Sequence, residues 1–346
     1  MSSHPSSRPA VAPRGLVFGL EDRLGRIEVA FWLLPVAVFF VFPGYLVLAS
    51  QVLIAGLFAL SLDLILGYAG IVSLGHAAFF GVGAYVAGLL SVRGYGEPLS
   101  GLVAAAVVAG CVGFVSSFLI VGGHALTRLM VTLAVGLSLH EAANQASSVT
   151  GGTDGLSGME TSDLFGVFAF DLLGKTAYLY VLGVCLVAFC LVRRLVHSPF
   201  GLSLRGVREN ERRMHAIGAP VRRRLVEVYT LAAALAGAAG ALSAQTTEFV
   251  GLEALSFDRS ASALVMLVLG GAGHMYGAFV GSCAFMVLQS FLADLHPAYW
   301  QFWIGCAVML IAFFARGGIL GYASAARERL ARGSRGSRGA AARPGP

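Results

Sequence analysis

Charged side chains are scarce in this chain. Of its 346 residues, 12% are Asp, Glu, Lys or Arg, whereas 57% are hydrophobic. Soluble domains carry about a quarter charged residues, so this composition excludes an ordinary soluble protein. The net charge of +6 does not indicate nucleic-acid binding either, because the arginines lie beside apolar runs and not on a basic domain of their own. The sequence therefore predicts a membrane protein.

Cysteine is also rare, and its spacing shows no pairs. All cysteines lie in apolar segments, where we expect them to be small buried hydrophobes. They are Cys111, Cys185, Cys190, Cys283 and Cys306. No histidines, cysteines and acids cluster with them, so we predict no metal site and no disulfide framework.

The chain lacks the residues of an enzyme. Gly174-Lys175-Thr176 ends like a phosphate-binding loop, but Ala169 stands where that motif needs its first glycine. No nucleophile or metal cluster converges elsewhere, so we predict no catalysis and no cofactor bound by this chain. A cleavable signal peptide is not expected, because residues 1–29 lack a short apolar region followed by small residues.

Long apolar runs are abundant. A spanning helix needs about 20 apolar residues, so several runs suffice and shorter ones are expected to be tilted or buried. The runs are 30–49, 52–66, 76–92, 100–121, 126–147, 177–192, 228–247, 261–292 and 299–315. They predict an all-α integral membrane protein, a multi-pass bundle of about 8–10 transmembrane helices within residues 30–315.

Charge asymmetry predicts the topology. Arginines are concentrated in three regions: the arm 1–29, the loop 193–227 and the tail 316–346, whose Gly/Ser/Ala-rich composition predicts disorder. By the positive-inside rule all three are cytoplasmic, and the acidic loop 148–176 is external. We therefore expect a multi-pass protein of the inner or plasma membrane with both termini in the cytoplasm.

Two glycine-rich breaks interrupt the apolar runs, at residues 66–76 and 269–277. Paired interruptions are typical of transporters built from repeats, in which irregular backbone lines a cavity. Close helix packing through small residues, as at Gly237 and Gly240, is the alternative explanation. The breaks supply six candidate pathway residues: Gly67, Gly70, His76, Gly270, Gly273 and His274.

Ionisable side chains inside apolar runs are a second pathway signal. Asp63 is costly in a span unless it is protonated, paired (for which His76 is a candidate) or exposed to a pathway. His140, Glu141 and Asn144 belong to the fifth run. They either line the pathway or are hydrated near the outer end.

An arginine-dense segment, residues 193–224, separates two apolar runs. Within it, residues 202–217 have the period of one amphipathic helix, which Gly218 and Pro220 end. Its apolar stripe consists of Leu204, Val207, Met214 and Ile217. Such a helix can lie on the membrane or insert its stripe into a groove of a soluble partner; a solvated loop is the alternative.

Four blocks of sequence resemble a known family, the M-type permease subunits of branched-chain amino-acid ABC importers. The blocks are residues 60–85 (LSLDLILGYAGIVSLGHAAFFGVGAY), 150–158 (TGGTDGLSG), 198–211 (SPFGLSLRGVRENE) and 269–281 (LGGAGHMYGAFVG). The chain departs from the family pattern in having Asp63 where Asn is common and Ile71 where Gln is usual. The latter change leaves the exact substrate open.

The resemblance implies an importer with several subunits. Its partners would be a second permease subunit, two cytoplasmic ATPases that carry ATP and Mg²⁺, an extracytoplasmic binding protein and membrane lipid. Asp154 either shapes its turn through its side chain or, together with Thr153, meets the binding protein. The element that couples to the ATPases would comprise Leu204, Val207, Arg208, Glu209, Glu211, Met214, Ile217 and Gly218.

Two other functions remain open on the sequence. Permeases for urea and short amides share these blocks. A secondary transporter driven by ions or protons would use Asp63 with His140 and Glu141 as a relay.

Overall fold

The computed structural model describes residues 26–159, 162, 174–295, 299, 302–306, 309 and 318–319. Over these residues the chain is helical except for connections and one antiparallel bridge between Leu156 and Val250. The helices are α1 Arg26–Val41, α2 Leu46–Asp63, α3 Ala77–Val92, α4 Pro98–Ile120, α5 Ala125–Gln145, α6 Ser147–Thr150, α7 Lys175–Val196, α8 Pro199–Glu209, α9 Glu211–Ala216, α10 Val221–Thr247, α11 Phe257–Gly270 and α12 Met275–Leu295. The predicted all-α multi-pass class is confirmed.

Among the described residues, five helical stretches are long and apolar enough to cross a bilayer. They are Pro43–Tyr68, Pro98–Ile120, Lys175–Val196, Val221–Thr247 and Met275–Leu295. By contrast α3 and α11 have 16 and 14 residues. At 1.5 Å per residue they extend about 21–24 Å, which is less than the hydrocarbon thickness of about 30 Å. They are half-helices within the bundle, and the full count of 8–10 crossings stays a prediction.

Helix α10 occupies the centre of the bundle and packs against α2, α3 and α4. Small side chains allow the backbones to approach closely: a Cβ added to Gly237 would lie 2.9 Å from Ala105 O, and one added to Gly240 would lie 2.9 Å from Ala84 N. This is the small-residue packing that serves membrane helices in place of a hydrophobic driving force. It explains Gly237 and Gly240 without a role in transport.

The bundle has two distinct ends. The arginine end carries α8 and α9, together with the last turn of α2 and the first residues of α5 and α10. The loop end carries residues 148–159 and is closed by polar contacts between helix ends. There Gln245 of α10 donates to Pro98 O at 2.8 Å, and its Oε1 accepts from the hydroxyl of Tyr180 at 3.0 Å.

Both predicted breaks are present. Helix α2 widens into a π-helical turn at Leu64–Tyr68, and irregular backbone follows until α3 begins at Ala77. Helix α11 ends at Gly270 and α12 begins at Met275, with Gly271 and Gly273 at φ 107° and 85°. The apolar run 261–292 therefore forms two helices.

The prediction of one helix over residues 202–217 is wrong. Helix α8 ends at Glu209 and α9 begins at Glu211, because Asn210 has extended backbone angles (φ −159°, ψ 96°). Its side chain accepts a hydrogen bond from Arg213 N at 3.0 Å, so Asn210 caps a new helix and does not continue the old one. The predicted end is confirmed, since Gly218 follows α9 with φ 81°.

Several predictions fall outside the described residues. These are the arm up to residue 25, most of the apolar run 299–315, the tail 316–346 apart from residues 318–319, and the acidic side chains Glu160, Asp163 and Asp171.

Candidate functional site

The two breaks lie against each other at the arginine end. Asp63, the last residue of α2, accepts a hydrogen bond at Oδ1 from Gly273 N, 2.7 Å away. A Cβ added to Gly67 would come within 2.6 Å of the same Gly273 N. Three residues predicted for the pathway are thus in contact although 210 positions separate Asp63 from Gly273.

His76, the candidate partner of Asp63, does not pair with it. His76 Nε2 lies 2.8 Å from Ser61 Oγ, and its ring stacks on Phe58 with centroids 5.5 Å apart. His76 is thereby a buried packing residue. Asp63 is fully buried too, and its Oδ2 has no hydrogen-bond partner among the described residues.

Helix α8 is anchored on the first break. Arg208 Nη1 donates to Gly67 O, and the aliphatic part of its side chain packs against Gly70. Arg208 Nη1 also lies 3.1 Å from the position that a Cβ on Gly273 would take. One turn earlier, the Arg205 guanidinium lies 5.4 Å from the centre of the Tyr68 ring. A movement of α8 would therefore act directly on both breaks.

The apolar stripe of the arginine-dense segment does not face outward as a whole. Leu204 and Val207 are buried against the bundle, which corrects their predicted contact with a partner groove. Met214 is half-buried and packs on Gly206, whereas Ile217 is 76% exposed. Burial of the first half of the stripe attaches α8 to its own chain.

An ion pair joins α9 to the start of α5. Glu211 Oε1 lies 2.8 Å from Arg128 Nη2, and their side chains are 38% and 12% exposed. Arg128 also donates to Val121 O at 3.3 Å. Sequence patterns had set Arg128 and Glu211 in separate segments, and only the fold brings them together.

The half-helices α3 and α11 begin close together inside the bundle. Ala77 N, in the first turn of α3, donates to Ser260 Oγ of α11 at 2.8 Å. Beside them is a cavity of about 100 Å³, named here the half-helix cavity. It is lined by Leu74, Gly75, Leu133, Gly136, Leu137, His140, Leu255, Ser256, Phe257 and Ser260. Of the predicted pathway residues, His140 is the one that lines this cavity.

The remaining predicted residues lie elsewhere. Glu141 is near the loop end, where it accepts from Gln145 Nε2 at 3.0 Å. Asn144 is its neighbour on the same helix, with Nδ2 3.5 Å from Glu141 Oε2. Gly270 packs on Gly277, and His274 is exposed.

The residues predicted to meet the binding protein and those predicted to couple to the ATPases lie at opposite ends of the bundle. Thr153 and Asp154 are exposed in the helical turn Gly152–Asp154 at the loop end. Glu209 and Gly218 are exposed at the arginine end. No group of three or more potential metal ligands occurs in the part of the chain that the structure describes.

Comparison with known proteins places the chain in a family. The family model for the permease component of the branched-chain amino acid transport system matches residues 44–313. The high-affinity branched-chain amino acid transport system permease proteins LivM of Escherichia coli and Salmonella typhimurium are each 28% identical over 308 residues, covering 82% of this chain and 71% of theirs. A probable LivM of Methanocaldococcus jannaschii is 26% identical over 271 residues, covering 68% of this chain and 77% of its own. No solved structure matches. Since the family model covers most of the chain, this protein belongs to the permease components of branched-chain amino acid transport systems.

Proposed function

We propose that this chain is the transmembrane permease subunit of an ATP-driven importer for branched-chain or related small amino acids. Its role is to provide a pathway that opens to one side of the membrane at a time. The observation that carries the proposal is the anchoring of α8 on the broken helices, through Arg208 and Gly67 O. A loop that only fixes topology needs no such contact.

The same contact supports a coupling mechanism. Partner ATPases bind the exposed part of the arginine end, which includes Glu209, Arg212, Ile217 and Gly218. Their ATP-driven closure moves α8 and α9. Arg208 transmits that motion to the joined breaks, and Glu211 transmits it to α5 through Arg128. This chain performs no covalent chemistry and binds no cofactor, since ATP and Mg²⁺ are held by the ATPases.

The half-helix cavity is the proposed part of the pathway that meets substrate. Helix N-termini carry partial positive charge, and broken helices in transporters direct it at anionic groups. The backbone just before α3 and the first turn of α11 line this cavity together with His140, and they would face the carboxylate of a zwitterionic amino acid. Few fixed charges are needed because the substrate has no net charge.

The partners follow from what is exposed. Helix α5 buries only Thr132 and Gly136 among its residues, while it bears His140 and Glu141. Polar groups facing lipid are costly, so a second permease subunit, with water in the pathway, is proposed to cover this face.

Thr153 and Asp154 would meet the binding protein at the loop end. Both termini and the arginine end are then cytoplasmic, and the protein lies in the inner or plasma membrane.

Uptake of labelled leucine tests the proposal, in cells that lack their own importers and express this chain with its partner subunits. We expect uptake to require the ATPase subunits, to resist an uncoupler and to be competed by isoleucine. Uptake that an uncoupler abolishes, and that survives loss of the ATPases, would establish a secondary transporter instead. Competition by urea and not by isoleucine would establish an amide permease.

A matched pair of variants tests the coupling contact. Arg208→Ala removes the bond to Gly67 O and is expected to reduce uptake at least tenfold, by analogy with loss of a hydrogen bond from a charged group. The control is Arg93→Ala, which removes the same charge from an exposed side chain directly after α3. Equal uptake by both variants would contradict the mechanism.

A further inference from the structure

An apolar stripe on α4 ends beneath a basic rim. Near its last turn α4 exposes Phe114, Val115, Phe118 and Leu119. Phe114 and Phe118 are one turn apart and pack edge to face, with ring centroids 4.9 Å apart. On the surface of a membrane bundle such a face meets hydrocarbon.

A groove of about 540 Å³ lies over these two rings. Its other walls come from the end of α9, from the connection between α9 and α10 and from the first turns of α10. They comprise His215, Ala219, Pro220, Val221, Arg222, Arg223 and Val226. The groove is therefore apolar along α4 and basic at the arginine end.

The rim carries more positive charge than the chain neutralises. Arg223 and Arg224 both bond to Glu227, at 2.8 and 3.0 Å. Arg222 is exposed, and no ion pair joins it to another described residue. One carboxylate against three arginines leaves the rim net positive, and Arg223 keeps donor groups beyond the bond from its Nε.

We propose that this groove binds an anionic phospholipid. The acyl chains lie along Phe114, Phe118 and Val226, and the phosphate accepts hydrogen bonds from Arg222 and Arg223. Charge complementarity favours this occupant, because guanidinium groups bind phosphate in a two-pronged geometry. The groove is basic at one end and apolar along the rest, which matches a lipid with its headgroup at the arginine end. Basic pockets at the cytoplasmic ends of membrane helices bind anionic headgroups, and the acyl chains then point toward the bilayer centre.

Native mass spectrometry of the full-length protein in detergent tests the site. Phosphatidylglycerol and phosphatidylcholine with the same acyl chains are titrated separately. We expect phosphatidylglycerol to bind more tightly, and Arg222→Gln/Arg223→Gln to weaken its binding about tenfold. The control is Arg212→Gln/Arg213→Gln, which removes the same charge from α9, outside the groove, and should leave binding unchanged.

A third variant tests the apolar part of the groove. Phe114→Ala/Phe118→Ala is expected to weaken the binding of both lipids, since the acyl chains of both lose contact with the rings. All variants alter exposed side chains, so elution as a single species and an unchanged melting temperature will show that each is folded.

Three results would overturn the proposal. One is equal phosphatidylglycerol binding by wild type and Arg222→Gln/Arg223→Gln. The second is an equal loss in the α9 control, which would indicate general charge attraction. The third is release of the lipid by glycerol phosphate or by added ATPase subunits, which would assign the groove to a soluble anion or to a protein. None of these results bears on whether the chain transports leucine.

Discussion

Asp63 links the two breaks through only one of its carboxylate oxygens. Oδ1 bonds to Gly273 N, and Oδ2 is buried without a partner among the described residues. Asp63→Asn retains an acceptor for Gly273 and removes the buried charge. We expect leucine uptake within about twofold of wild type and an unchanged or higher melting temperature, because one hydrogen bond is kept and a desolvated charge is lost.

The matched control for this residue is Asp63→Ala. It leaves Gly273 N without an acceptor, which is expected to cost about 1–3 kcal/mol of stability and to lower the melting temperature. If Asp63→Asn abolishes uptake in a folded protein, the charge itself is required. That outcome would favour proton-coupled transport over the proposed mechanism.

Single residues show how far sequence patterns reach. A carboxylate in an apolar run identified Asp63 as unusual, because the cost of such a group in a membrane is known in advance. Its partner was not predictable: His76 was the near candidate, yet Gly273 from the other end of the chain bonds to it. Arg208, which the resemblance assigned to the ATPase-coupling element, donates instead to Gly67 O of its own chain.

For the helices, periodicity predicted where a helix ends better than it predicted which surface the apolar stripe contacts. The amphipathic pattern and Gly218 located the end of α9 correctly. The pattern could not say whether the stripe meets a partner or its own bundle, because either surface satisfies the same period. Asn210 fits inside the pattern as an ordinary polar position, and its role as a helix cap depends on backbone angles that the pattern does not contain.

The pair Arg128–Glu211 joins α5 to α9. Glu211→Arg is expected to lower ATP-driven uptake, since two arginines would then face each other. Arg128→Glu added to it should restore part of the uptake, measured as leucine transported per ATP hydrolysed. The comparison variant is Glu209→Arg, an exposed change expected to reduce co-purification of the ATPases instead. No rescue in the double variant would show that the pair does not couple these helices.

The contact of α5 with the first break depends on two glycines. A Cβ added to Gly136 would lie 2.9 Å from Gly75 Cα, closer than real Cβ atoms approach, so the backbones would have to separate. Gly136→Ala is therefore expected to lower both the melting temperature and leucine uptake. Gly183→Ala on α7 is the control, because nothing lies within 4 Å of its Cβ position. Gly183→Ala should stabilise the folded protein by about 0.5–1 kcal/mol, because alanine is more favourable than glycine inside a helix. Equal effects of the two changes would contradict this packing.

For the whole molecule, composition and apolar runs predicted the membrane class and both breaks. They did not predict that the breaks touch, or that α3 and α11 start beside each other, because these are contacts between distant segments. They also left open which helix lies at the edge. In the structure α5 lies at an edge of the bundle, with polar side chains that a lipid-facing helix would not keep exposed.

Thiol labelling of the assembled importer tests the position of α5. Cys111, Cys190 and Cys283 are exposed in the isolated chain, which corrects their predicted burial. In a background without these three cysteines, one thiol is introduced as Leu137→Cys on α5 or as Val187→Cys on α7. The two positions are 55% and 58% exposed in the isolated chain, but Leu137 lines the half-helix cavity.

A maleimide reacts with thiolate, which forms in water and not in hydrocarbon. The thiol at 137 is therefore expected to react, and leucine should slow the reaction. The thiol at 187 should stay unmodified, because a lipid-facing position offers no water to ionise it. If neither thiol reacts with the maleimide, α5 faces lipid. A second permease subunit would then have to bind another face of the bundle.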